Sequence, residues 1–253
     1  MPYPVLEFDP APKAFIEPAN IIKPYDIPKK VIACFFHEVV KKVAQEHNAN
    51  IHVKNVWEDG PHPLYEIEHR GQRLAFFQPG IGAPMSAALL EEVIAFGGRT
   101  FLACGGAGVL EQDFALGHLM VVDSAVRDEG ASYQYLPAGR EVKAQPEMVA
   151  AIESAMREKH IPFITGKTWT TSAPYRETVA RIARRKQEGC LTVEMEASAM
   201  MAVAQFRKVR FGQILYGGDN LGGETWDQRS WERAADVREN LFWLCADILT
   251  THD

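Results

Sequence analysis

Two short stretches of the chain carry carboxylate side chains beside residues suited to ligand contact. In the first, Glu194 and Glu196 flank Met195 where an apolar run gives way to a helical pattern. Paired carboxylates accept hydrogen bonds from a diol, and a methionine offers a soft apolar wall to a flat ring. The alternative is a plain helix N-terminus, where acidic side chains face the positive end of the helix dipole.

The second stretch, YGGDNLGGETW at residues 216–226, places Asp219 between glycines at the end of another apolar run. A carboxyl group held in a partly dry pocket can have a raised pKa and act as a general acid. An ordinary Asp-Asn turn is compatible with the same residues. Arg233, in the helix predicted to follow, either returns to Asp219 or faces solvent.

Two glycine clusters follow predicted strands, one with Gly80 and Gly82 and the other with Gly105 and Gly106. Because glycine has no Cβ, the backbone there can approach a ligand closely and point its amides at an anion. Both clusters lack the third glycine of the dinucleotide pattern G-x-G-x-x-G. A ligand-binding loop and a plain turn are therefore both open at each cluster.

The elements that must position these residues alternate along the chain. Short apolar strands, such as TFLACGG and RFGQILYG, are separated by helical patterns, such as PEMVAAIESAMREKH and EASAMMAVAQFRK, with a last helix from about Arg229. Strands that alternate with crossover helices predict an α/β fold whose largely parallel sheet is flanked by helices. Ligands bind beyond the carboxyl ends of such strands, where the glycines and carboxylates lie.

The N-terminal residues have a different character from the rest of the chain. Residues 1–28 contain seven prolines and little periodicity, which predicts an extended arm over the body or over a neighbouring subunit. Residues 29–253 form the predicted domain.

Composition excludes several classes of protein. The chain has 27 basic and 33 acidic residues, a net charge of −6 that argues against a nucleic-acid partner. No stretch approaches the ~18 apolar residues of a membrane helix. The four cysteines are far apart, without the spacing of a zinc module or a disulfide scaffold. We therefore expect a cytoplasmic protein without a metal site.

Taken in order, five stretches resemble the nucleoside phosphorylase family, which includes uridine and purine nucleoside phosphorylases and related nucleosidases. They are GIGAPMSAALLEEVIAFGGRTFLACGGAGVL, AVRDEGASYQY, GKTWTTSAPYRET, TVEMEASAMMAVA and LYGGDNLGG, within residues 30–250. The resemblance implies a single α/β domain with a central mixed sheet. It also implies assembly into dimers or hexamers, cleavage of the bond between a base and ribose, and no cofactor.

The resemblance also implies roles for individual residues. Met195 and Glu196, with Glu194 beside them, correspond to the ribose-binding residues, and Asp219 corresponds to the acid that purine-specific members use on the base. The base-proximal segment of the family corresponds to a stretch that contributes Trp169, Thr171, Ser172, Tyr175 and Arg176.

Phosphate binding is where this sequence departs from the family. Phosphorolytic members use a G-D-P-x-R stretch, an arginine and a turn hydroxyl, whereas this chain has residues 35–39 as FFHEV, Ala103 and Gly106 at these places. The amides of Gly80, Gly82, Gly105 and Gly106 remain for either phosphate or water. The leading hypothesis is phosphorolysis of a purine nucleoside. The alternatives are a nucleosidase that uses water and a nucleoside-binding protein without turnover.

Overall fold

The computed structural model describes residues 3–230 and 235–251. Ten strands and seven α-helices are found in these residues. The strands are β1 (Lys30–Cys34), β2 (Asn50–Trp57), β3 (Gly60–His69), β4 (Gln72–Phe77), β5 (Thr100–Val109), β6 (Leu119–Asp128), β7 (Glu141–Lys143), β8 (Phe163–Thr171), β9 (Cys190–Glu194) and β10 (Arg210–Asn220). The helices are α1 (Pro18–Ile21), α2 (His37–Glu46), α3 (Ala83–Phe96), α4 (Pro146–Glu158), α5 (Val179–Gln187), α6 (Ala197–Arg207) and α7 (Ala235–Thr251).

All ten strands belong to one mixed sheet. Its order is β10-β6-β8-β9-β5-β1-β4-β3-β2, with β7 beside β6, and β10 also pairs with β5. The additional pairing closes β10, β6, β8, β9 and β5 into a circuit, while β1 to β4 extend the sheet outward. Strands β10, β5, β1 and β4 pair in parallel, β9 is antiparallel to β5, and the β2, β3 and β4 ribbon is antiparallel. The α/β class with a mixed sheet is confirmed.

Helices cover both faces of the sheet and bury two apolar layers. One layer contains residues of α3 and α6, such as Leu90 and Met200, and the other contains residues of α2 and α7, such as Val40 and Phe242. β5 contributes to both layers because its side chains alternate between the two faces. The sheet is thus buried on both sides, and its strand ends are the places left open for a ligand.

The helix boundaries follow local backbone chemistry. α3 begins after Gly82 and ends at Gly97, both of which have positive φ, of 89° and 134°. The C-terminal helix does not start at Arg229 as the sequence predicts, because Arg229 and Ser230 have positive φ values of 50° and 48°, which a right-handed helix does not allow. The described part of α7 begins at Ala235, and Arg233 lies outside the described residues.

The N-terminal arm lies across the body with little regular structure. It contains a 3₁₀ turn at Pro4–Leu6 and the four-residue α1, and most of its side chains are exposed. Glu17 joins it to the body through an ion pair of 2.6 Å with Arg207. Arm residues also line a cavity of about 550 Å³ over α3 and α6. No helix in residues 3–230 or 235–251 is long and apolar enough to span a membrane.

Candidate active site

One cavity of about 490 Å³ opens at the carboxyl ends of the central parallel strands. Strands β5 and β10 form its floor, the turn after β9 forms one wall, and residues after β1 together with α7 form another. Of the residues predicted from the sequence, those that line it are Gly105, Gly106, Glu194, Met195, Glu196 and Asp219. The structure therefore brings the two carboxylate stretches and one of the glycine clusters into a single site.

Strand β5 gives the order of groups along this cavity. A Cβ on Gly108 would lie 3.4 Å from Oδ1 of Asp219, and Gly108 pairs with Val193 of the antiparallel β9. The chain that continues through Met195 and Glu196 runs back toward Gly105, because β9 and β5 are antiparallel. Asp219 thus marks one end of the cavity, and Met195 and Glu196 lie nearer its middle.

Glu194 is held by the first turn of α6. Its Oε2 accepts the N–H groups of Glu196 and Ala197 at 2.7 and 2.6 Å, and its Oε1 accepts the hydroxyl of Thr170 at 2.6 Å. Burial raises the pKa of Glu194, while these hydrogen bonds oppose the rise. Glu194 thus acts as the acidic residue at a helix N-terminus, which is the alternative role for this side chain. By accepting these N–H groups it positions the residues that follow it.

Glu196 faces the cavity and is bound by two backbone amides. Its Oε1 accepts the N–H of Gly82 at 2.6 Å, and its Oε2 accepts the N–H of Met195 at 3.3 Å. Burial and the neighbouring Glu194 raise the pKa of Glu196. A carboxyl group that is partly protonated at neutral pH can both donate to and accept from a hydroxyl pair.

The Gly80 and Gly82 cluster contacts other parts of the protein and does not line the main cavity. The amide of Gly82 is already used by Glu196, and a Cβ on Gly80 would lie 2.5 Å from Cγ of Met85. Ile81 lines the cavity, whereas Gly80 and Gly82, which are both described, do not. The Gly82 amide thus fixes Glu196 in this structure, and an anion contact at these two glycines stays a prediction.

Asp219 lies at the other end of the cavity with two neighbours. Its Oδ2 accepts the indole N–H of Trp226 at 2.7 Å. Burial raises the pKa of Glu177 to about 7, and the charge of Asp219 adds to the rise. Both carboxyl groups also line an adjoining cavity of about 410 Å³. A carboxyl group with a raised pKa, such as Glu177 beside the charge of Asp219, suits proton transfer to a leaving group.

The end of the cavity beyond Gly105 and Gly106 contains Tyr216 and Arg238, which no sequence motif predicts. The Tyr216 ring lies 3.0 Å from where a Cβ on Gly106 would be, so a larger residue there would press against the ring. Nε of Arg238 donates to the Tyr216 hydroxyl at 3.1 Å, and its Nη1 donates to Oε1 of Glu38 at 2.5 Å. Arg238 lies on α7, far along the chain, so only the folded structure shows that it lines this site.

Comparison with known proteins agrees with the fold. Residues 29–249 match the protein family described as Phosphorylase superfamily. The chain belongs to this superfamily. The guanosine phosphorylase of Halorubrum lacusprofundi is 31% identical over 153 residues, which cover 59% of this chain and 62% of that protein. The uridine phosphorylase of Thermococcus kodakarensis is 26% identical over 180 residues, 63% of this chain and 65% of that protein. The matched segments thus span less than two thirds of either relative.

Two solved structures share the fold over most of the chain. A uridine phosphorylase from Vibrio fischeri ES114 superposes with a TM-score of 0.76 at 20% identity, and the match covers 91% of this chain and 95% of that one. An AMP nucleosidase from Bacteroides thetaiotaomicron gives a TM-score of 0.72 at 21% identity, over 89% and 88% of the two chains. At these identities the likeness concerns the fold alone.

The residues that the sequence predicts near the base do not line the main cavity. Trp169 is fully buried, donates its indole N–H to Asp128 at 2.9 Å and lies under the guanidinium groups of Arg181 and Arg185. Thr171 is buried, and its hydroxyl oxygen accepts the N–H of Ala173 at 3.3 Å.

The other three base-proximal residues are on the surface. Ser172 and Arg176 are exposed, and Tyr175, which is 99% exposed, lines only the adjoining cavity. None of the five predicted residues, all of which are described, lines the main cavity. The same segment instead contributes Pro174 and Glu177 to it. A strand at the centre of the sheet buries its aromatic side chains, so closeness in sequence to a motif does not bring Trp169 to the ligand.

The described residues show no arrangement that suits a resident metal. Among residues 3–230 and 235–251, no three histidine, cysteine or acidic side chains come together as a metal centre needs.

Proposed function

We propose that this protein is an enzyme that cleaves the N-glycosidic bond of a nucleoside. The observation that carries the proposal is the single cavity of about 490 Å³ that holds Glu196 and Met195 near its middle and Asp219 at one end. Glu196 offers carboxyl oxygens to ribose hydroxyls, and Met195 offers an apolar wall. The names of the relatives, guanosine and uridine phosphorylase, support this class of reaction.

Asp219 and Glu177 would act on the base. When the C1′–N bond breaks, its electron pair goes to the base, and a proton from the carboxyl pair at Asp219 neutralises the charge that develops there. A purine can accept a proton and also presents N–H donors to carboxylates. We therefore propose a purine nucleoside as the substrate.

For the acceptor of the ribosyl group, the structure favours water over phosphate. Glu38 lines the cavity and is ion-paired with Arg238, the arginine among the described lining residues. A dianionic phosphate there would face the Glu38 carboxylate and compete with it for Arg238. Binding of phosphate normally depends on a charge-assisted fork, which is already engaged here. Phosphorolysis remains the second candidate because Arg238 does bring a positive charge to this end.

The hydrolytic step balances without another reactant. The oxygen of water bonds to C1′, one of its protons passes to the Glu38 carboxylate, and the base leaves with the proton from the Asp219 end. The products are free base and ribose. Glu38 is half exposed, so the proton it receives can return to solvent.

The acceptor is tested by following base release from guanosine, inosine, adenosine and uridine, with and without phosphate. We expect cleavage of a purine nucleoside at the same rate in phosphate-free buffer, with free ribose as the product. Release that depends on phosphate and yields ribose 1-phosphate would show that the second candidate is correct. Absence of cleavage for every nucleoside, despite tight binding of one, would contradict the proposed enzyme and favour a binding protein.

A further inference from the structure

Gln213 is a buried polar side chain whose amide oxygen has no protein partner. The residue is 1% exposed, yet it lines the main cavity. Among the residues that the structure describes, no donor lies within hydrogen-bond distance of its Oε1. Buried amide groups in proteins are nearly always hydrogen-bonded, so an unpaired one that faces a cavity indicates a donor supplied by a ligand.

Its position along the cavity is given by strand β5. Gln213 pairs in register with Ala103, whereas Asp219 contacts the position of Gly108. Five residues of strand span about 17 Å, so the two side chains mark opposite ends of the cavity. Glu196 and Met195 lie between them. If ribose occupies the middle and the base lies at Asp219, Gln213 is on the side from which an acceptor must approach.

The surroundings of Gln213 define the kind of group it can hold. On the same face of the sheet, Leu215 and Phe35 enclose Gly105, with carbon atoms 3.6 and 3.2 Å from the position of a Cβ there. These walls are apolar and offer the amide no partner. A carboxamide is neutral and has both acceptor and donor atoms. It therefore suits a small neutral molecule that can donate to its oxygen, and it gives a dianion no charge to pair with.

We propose that Gln213 is a positioning residue that holds the acceptor water in line with C1′ of the nucleoside. The inference rests on the proposed function and names the residue that places its nucleophile. Oε1 of Gln213 accepts a hydrogen bond from one O–H of water, so an oxygen lone pair is turned toward C1′. As that oxygen bonds to C1′, the other proton passes to Glu38, and the C1′–N electron pair leaves with the base.

The test uses Gln213→Met, which keeps the length of the side chain and removes its polar atoms. Methanol is added as a competing acceptor, and the ratio of methyl riboside to ribose is measured together with kcat and KM. We expect kcat to fall about tenfold or more, because misplacement of a reactant weakens catalysis strongly. KM for the nucleoside should stay within about threefold, and the share of methyl riboside should rise.

Gln145→Met is the matched control. The Gln145 side chain is fully paired, since it donates to the Val209 carbonyl at 2.9 Å and accepts the Phe211 N–H at 3.0 Å. This variant should lose thermal stability and keep the wild-type ratio of methyl riboside to ribose. Gln213→Met should be at least as stable as the wild type, because it removes an unpaired buried polar group.

The outcomes separate this inference from the proposed function. If the wild type cleaves a nucleoside in phosphate-free buffer and Gln213→Met leaves both kcat and the product ratio unchanged, Gln213 does not position the acceptor. If base release requires phosphate, the inference of a neutral acceptor is overturned while glycosidic cleavage stands. If no nucleoside is cleaved at all, the proposed function itself fails.

Discussion

The acidic side chains of the cavity differ in their partners, and this difference separates their roles. Glu194 lines the cavity, but its carboxyl oxygens are engaged by the first turn of α6 and by Thr170, so it fixes the position of that turn. Glu196 is bound by amides on one side and faces the cavity. Glu177 and Asp219 share the end of the cavity that we propose for the base, where burial and the charge of Asp219 raise the pKa of Glu177 to about 7.

The raised pKa of Glu177 predicts how stability depends on pH. A glutamate in the unfolded chain ionises near pH 4.5, so the stabilising contribution of neutral Glu177 is full below that pH and is lost as the pH rises through about 7. We expect the melting temperature of the wild type to fall more steeply between pH 5 and 8 than that of Glu177→Gln, which cannot ionise. Equal slopes in thermal melts across this range would show that Glu177 titrates normally.

At the scale of elements, the hydroxyl of Thr170 connects strand β8 to the start of helix α6. It donates to Oε1 of Glu194 at 2.6 Å and accepts the N–H of Ser198 at 3.0 Å. Because Glu194 also caps that helix, the middle of the cavity, where we propose that ribose binds, depends on the junction of these two elements. Neither element alone holds Glu196 in place.

Thr170→Val tests this junction. The substitution keeps the shape of the side chain and leaves a buried N–H and a buried carboxyl oxygen without their partner, which costs about 1–3 kcal/mol of the free energy of unfolding. We also expect a higher KM for the nucleoside. Thr165→Val on the same strand removes only the hydroxyl that donates to Glu153, and it should leave KM unchanged. Urea unfolding and steady-state kinetics measure both effects, and equal KM values for the two variants would contradict this role of Thr170.

At the scale of the whole molecule, the arm and the active cavity are separate structures. Arm residues line the cavity of about 550 Å³ over α3 and α6, and no residue among the described part of the arm, 3–28, lines the active cavity. Near its end the arm joins the body, since the Tyr25 N–H donates to the Phe96 carbonyl and Ile27 is buried.

Removal of residues 1–22 should therefore lower stability and spare catalysis. The truncation deletes the ion pair of Glu17 with Arg207 and keeps the contacts of Tyr25 and Ile27. We expect the melting temperature to fall by a few degrees, as for a loss of about 1 kcal/mol, with kcat within about twofold of the wild type. A large loss of kcat, at a temperature where the truncated protein remains folded, would show that the arm takes part in the site.

The sequence predicts the fold and the carboxylates better than it predicts the rest of the cavity. Alternating strands and helices indicate an α/β fold, and local motifs at strand ends identify Glu196 and Asp219 as candidate site residues. Arg238 and Gln213 carry no such motif, because their places depend on how α7 packs and on the register of β10 with β5. Trp169 lies next to a motif, but its strand is central, so the side chain is buried in the core.

The central claim is that the carboxyl pair of Asp219 and Glu177 delivers the proton for glycosidic cleavage in this cavity, and it is tested most directly by Asp219→Asn. The measurement is single-turnover release of base from the best purine nucleoside, beside the affinity of the same nucleoside by calorimetry. We predict that the rate falls by about 100-fold or more, as for loss of a general acid, while the affinity stays within about tenfold. Base release by Asp219→Asn at the wild-type rate would contradict the claim.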